Sequence, residues 1–63
     1  MSHRRYAVLT TGEIIRVVAE KLTRDYVIVI NGVRSRSVYE ENEWEEAAQM
    51  MVKNRYGEIE DWR

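Results

Sequence analysis

Residues 25–41, DYVIVINGVRSRSVYEE, decide how the rest of the chain is read. Two arms rich in β-branched and aromatic residues, 26–30 and 33–39, flank Asn31-Gly32. That dipeptide supplies the two positive-φ positions of a type I′ turn, so the segment reads as a β-hairpin. A two-residue turn also sets the pairing. Ile30 is expected opposite Val33, Val29 opposite Arg34, Ile28 opposite Ser35, Val27 opposite Arg36 and Tyr26 opposite Ser37. Alternation along the strands then separates two surfaces. One carries Tyr26, Ile28, Ile30, Val33, Ser35, Ser37 and Tyr39; the other carries Val27, Val29, Arg34, Arg36 and Val38.

The first surface needs a cover, and the next element provides one. Residues 43–56, EWEEAAQMMVKNRY, place Trp44, Ala47, Ala48, Met51 and Val52 on one face at helical spacing. Asn42 with Glu45 three residues later has the form of a capping-box variant. Lys53 and Arg55 suit the last turn, and Gly57 ends the helix. The small Ser35 and Ser37 are expected to let this helix approach the hairpin. Met50 falls off the apolar face and is expected at the edge of the core. In the tail GEIEDWR, Ile59 and Trp62 are expected to fold back over the helix or extend the sheet.

The amino-terminal part is less decisive. Residues 4–10, RRYAVLT, read as a short strand. In residues 11–23, Ile14, Ile15, Val18, Ala19 and Leu22 cluster on a helical wheel, with Glu13, Arg16, Glu20 and Thr23 opposite. Thr10 and Glu13 add capping-box spacing, and together these favour a helix. The competing reading is a strand joined to 4–10 by a Thr11-Gly12 turn, because four of the five residues after Glu13 are β-branched. That strand would align Tyr6, Val8, Ile15, Val17 and Ala19. The expected fold is therefore α+β, a small antiparallel sheet with a helix on one face. The preferred order is β-α-β-β-α; the alternative is a four-stranded meander followed by one helix.

Composition bounds the function. Sixty-three residues make a single small domain, 1–63, with a marginal core. The chain has no cysteine, so neither disulfides nor thiolate-held metal can reinforce it. Hydrophobic residues at 44% with 33% charged residues indicate a folded chain. No apolar run is long enough to span a membrane, and MSHRRYAVL lacks the apolar stretch of a signal peptide, so a cytoplasmic location is expected. Charge is split: residues 1–39 hold seven Lys/Arg against three acids, and residues 40–63 hold three against eight. Most of that acidity lies at the start of the helix, where the macrodipole favours it.

Catalysis is not expected. The lone histidine, His3, sits at a terminus expected to be exposed, and Ser35 and Ser37 have no histidine in their element. The carboxylates form no metal cage, the three glycines form no phosphate loop, and no cofactor is expected.

What remains is the Val27, Val29, Arg34, Arg36 and Val38 face. Arginine stems can lie over the valines with their guanidinium groups in water. The same face suits a protein interface, either with a second copy as a homodimer or with another protein. It could also grip phosphates, with Arg4, Arg5, Arg34 and Arg36 as the contacts, although near-neutral total charge disfavours nucleic acid. A hairpin, a short acidic cap and WEEAAQMMVKNRYG together resemble small phage-encoded proteins that bind and inhibit host machinery. The resemblance implies a binder and assigns no residue. The sequence thus points to a non-enzymatic protein-binding module, expected to self-associate and to inhibit or regulate a larger protein, with nucleic-acid binding as the alternative.

Overall fold

Thr10, Thr11 and Gly12 form a three-residue loop, and this loop overturns the preferred reading of the segment after it. In the computed structural model, which describes residues 2–63, the loop joins strand β1 (Ser2–Leu9) to strand β2 (Ile14–Lys21). The Gly12 amide donates to the Leu9 carbonyl at 2.9 Å, and the Leu9 amide donates to the Glu13 carbonyl at 2.8 Å. Gly12 takes φ +93°, a left-handed position that glycine adopts without steric cost. Residues 11–23 are therefore not a helix. A run of β-branched side chains met a turn that could return it antiparallel to β1, and its burial alternates with period two.

The loop is one residue longer than the Thr11-Gly12 turn of the alternative reading, so β1 presents its other face. Ala7 and Leu9 join Ile15, Val17 and Ala19 in the core, while Tyr6 and Val8 point away. A one-residue change in a hairpin loop reverses every side chain of one strand.

Strand β3 (Tyr26–Ile30) pairs with β2, and β4 (Val33–Tyr39) returns from the Asn31-Gly32 turn. Positive φ values at Asn31 (48°) and Gly32 (84°) match the expected turn type. Asn31 also ties the turn to β2. Its side-chain Oδ1 accepts the Arg16 amide at 3.0 Å, and its own amide donates to the Arg16 carbonyl at 2.9 Å.

The pairing expected for this hairpin holds only next to the turn. Ile30 faces Val33 and Val29 faces Arg34, but Val27 faces Val38 and Tyr26 faces Tyr39. Between these pairs β4 carries two residues more than the regular ladder allows. Because the excess is even, the faces are preserved while the partners change. Ser35 spans the irregularity: its hydroxyl accepts the Ile28 amide at 3.1 Å and donates to the Ser37 carbonyl at 2.8 Å.

Helix α1 (Trp44–Arg55) covers the Ala7, Val17 and Ile28 face with Trp44, Ala48 and Val52, and Ala47 and Met51 pack at the margin. The Asn42 cap is not formed; Glu43 is the N-cap residue and makes no side-chain cap bond. Its carboxylate instead accepts the Glu40 amide at 3.4 Å. The helix packs mainly on β2, β3 and β5, and its Met51 and Arg55 border a groove along β4. Val33 and Ser37 are exposed and Ser35 is taken up by the irregular pairing of β4, so the serines do not serve as a seat for the helix. Met50 is 55% exposed, outside the core edge expected for it.

The tail extends the sheet as β5 (Ile59–Trp62), giving the order β4-β3-β2-β1-β5. Ile59 and Trp62 are three residues apart and would face opposite sides of a regular strand. A bulge reconciles them: Leu9 faces Ile59 while Val8 faces Asp61 and Ala7 faces Trp62, so both large side chains reach the core. The result is the α+β class with an antiparallel sheet and one helix packed on one face, arranged as a four-stranded meander, a helix and a fifth strand. No helix among the described residues is long and apolar enough to cross a membrane.

Candidate binding face

With α1 on one side, the other side of the sheet has no element over it. Its residues follow from the pairing, since directly opposed residues share a face. The central row runs Arg34–Val29–Val18–Arg4 across β4, β3, β2 and β1. The row beside it contains Val38, Val27 and Glu20, and the row on the other side contains Arg16 and Tyr6. Ile14 and Val8 follow, with Asp61 of β5 next to Val8. The centre is thus a valine floor with arginines at both ends of its main row and a third beside it.

Val27 is 5% exposed although no element packs above it, and Val29 and Val18 are half-buried. Val38 at 50%, Ile14 at 55% and Tyr6 at 37% stand more open. Arg4, Arg16 and Arg34 are exposed. Ion pairs among the described residues join Arg5 to Glu45, Lys53 to Glu58 and Arg63 to Asp61, and none involves these three. The face therefore carries three guanidinium groups without an ion-pair partner, against the carboxylates of Glu20 and of Asp61, the latter paired with Arg63. A shallow groove lined by Arg4, Arg16, Val18, Glu20, Val29 and Gly32 runs through it.

Of the residues expected here, Val27, Val29, Arg34 and Val38 lie together on this side. Arg36 is exposed but falls in the irregular stretch of β4, without the cross-strand pairing to Val27 expected for it. Among the expected phosphate contacts, Arg4 joins Arg34 in one row. Arg5 does not: it is on the helix side, its guanidinium carbon 5.7 Å from the Trp44 ring centroid and its Nη2 3.2 Å from Glu45 Oε1. Arg16 and Val18, both central to the face, were hidden by the helical reading of 11–23. The β-branched run from Ile14 to Val18 was the signal that could have placed them.

The helix side holds a second concentration of side chains. His3, expected at an exposed terminus, is half-buried in β1, and its ring stacks on Trp44 at 5.3 Å and 22°. Tyr26 completes the group, 6.0 Å from Trp44 and 5.6 Å from His3. Nearby, Arg5, Val17, Trp44, Glu45, Gln49 and Trp62 line an open cleft of about 440 Å³. The cleft's cation is already engaged by Glu45 and the Trp44 ring, which makes it part of the helix–sheet packing. No three His, Cys, Asp or Glu among the described residues are grouped to hold a metal ion.

Comparison with protein-family models, curated proteins and solved structures yields no match for this chain.

Proposed function

We propose that the chain is a non-enzymatic protein-binding module of the cytoplasm, an inhibitor or regulator of a larger protein, working through the uncovered side of its sheet. The observation that supports this most is the Arg34–Val29–Val18–Arg4 row, a half-buried apolar centre with a cation at each end. Interfaces combine a desolvated apolar core with a polar rim, and arginine is enriched in them. A chain this small has little core to spare, so an apolar sheet face left without cover is costly unless something else buries it. A second copy of the chain is one protein that could do so.

The test is quantitative capture from source-cell lysate on the immobilised wild-type chain and on an Arg34→Glu, Val38→Asp variant. Both positions are exposed, so the variant is expected to fold. Loss of a captured protein with the variant supports the reading; an unchanged set of captured proteins removes the face from consideration.

A second reading, nucleic-acid binding, is favoured by the three unpaired arginines on one side. It predicts retention on nucleic acid that falls steeply with salt, with a log–log slope of about −2.7 if all three neutralise phosphates on a duplex.

A further inference from the structure

Building on the protein-binding reading, we infer that the uncovered sheet face receives an acidic amphipathic helix of a partner protein, laid along β2 and β3 between Arg4 and Arg34. Three observations carry this. The first is width. Arg4 and Arg34 are separated by three strand spacings, about 14 Å at about 4.8 Å each. An α-helix with its side chains is about 10–12 Å across, so it fits between them with its flanks within reach of both guanidinium groups. The second is the floor. Val18 and Val29, both half-buried, lie directly beneath that axis and offer the apolar strip that one face of such a helix would bury, while Val27 beside them is already buried. The third is charge. Arg4, Arg16 and Arg34 have no carboxylate partner among the described residues; a carboxylate on each flank of the helix would pair with Arg4 and Arg34, and Arg16, on β2 beneath the axis, adds positive charge under one end.

The same observations disfavour the other occupants. A second copy docking by this face brings three unpaired arginines against the same three, with Glu20 as the one opposing charge in those rows. A second copy docking by α1 offers little apolar surface, because Trp44, Ala48 and Val52 are buried in its own core and Met50 is the large apolar side chain of that helix that stands open. A phosphate backbone would pair with the arginines but gain nothing from the valines between them.

The experiment is a selection from a library of single helices with randomised surface positions, using the full chain as bait. Enriched helices are expected to carry Asp or Glu on both flanks of an apolar stripe. They are expected to bind an Arg4→Glu, Arg34→Glu variant roughly tenfold more weakly, and exchanging their acids for lysine should restore that binding. Both substituted positions are exposed, and a urea midpoint close to wild type confirms that the variant is folded. Enrichment of neutral or basic helices, no enrichment, or binding indifferent to the double substitution overturns the inference. Salt-sensitive retention of a short DNA duplex that the double substitution abolishes reassigns the face to nucleic acid. A dimer in sedimentation equilibrium that the same substitution dissolves reassigns it to a second copy. The broader reading fails separately, when capture from lysate does not depend on the face.

Discussion

The hydroxyl of Ser35 takes the place of a main-chain carbonyl for the Ile28 amide, which it accepts at 3.1 Å where β4 leaves the regular ladder. The Ile28 side chain is fully buried beneath the helix, so its amide has no ready alternative partner. Leaving such a donor unsatisfied costs about 1–3 kcal/mol. Ser35→Ala should destabilise by that amount in urea denaturation and should speed hydrogen exchange at the Ile28 amide more than at Ile30. Equal exchange at the two positions would show that the backbone closes the gap unaided.

Asn31 has two separable jobs, a left-handed backbone and the acceptor for the Arg16 amide. Asn31→Asp keeps both and should stay within about 0.5 kcal/mol of wild type. Asn31→Gly keeps the backbone only and should lose about 1 kcal/mol. Asn31→Ala loses the acceptor and adds about 1 kcal/mol or more of left-handed strain. Chemical denaturation of the three variants should therefore rank Asp above Gly above Ala.

Trp44 is 3% exposed and is the largest side chain the helix contributes to the core. Its truncation to alanine is expected to remove about 3–5 kcal/mol. A domain of this size has only about 3–9 kcal/mol in total. Trp44→Ala should thus lose about a third or more of its stability, read as a large fall in the urea midpoint followed by circular dichroism. Glu45→Ala, which breaks an exposed ion pair with Arg5, should cost under about 1 kcal/mol.

The tail is a working strand. The Tyr6 and Arg63 main chains exchange two hydrogen bonds of 2.7 Å, and Ile59 and Trp62 cover the end of the core. Removing residues 58–63 would expose the edge of β1 together with Leu9 and Ala7. Such a truncation should lower the thermal midpoint and promote aggregation, measured by light scattering during heating.

Local chemistry with one outcome was legible in the sequence, and features with two were not. Asn31-Gly32 admits one tight turn, and Trp44, Ala47, Ala48, Met51 and Val52 share a face only as a helix, because a strand would send the neighbours 47/48 and 51/52 to opposite sides. Residues 14–22 satisfy a helical wheel and a strand alternation equally well. The choice between them was made by the three-residue loop and by the need of β1 and β3 for a strand between them. The bulges in β4 and β5 left no mark in hydrophobic pattern alone. Ile59 and Trp62 sit at a spacing that alternation assigns to opposite faces, and only the extra residue Glu60 brings them together. The candidate face divides in the same way: Arg34 and Val29 follow from the hairpin, whereas Arg16 and Val18 depend on residues 14–21 being a strand.

On the proposed function, a partner sits on the side of the sheet away from α1. Nitrogen–proton correlation spectra of the labelled chain, recorded with and without a captured protein, test it most directly. Shifted or broadened amides are expected at Arg16, Val18, Val27, Val29 and Arg34, with Ala48, Gln49 and Val52 unmoved. Perturbation centred on the Trp44 cleft and the helix, with the valine rows unchanged, would contradict it.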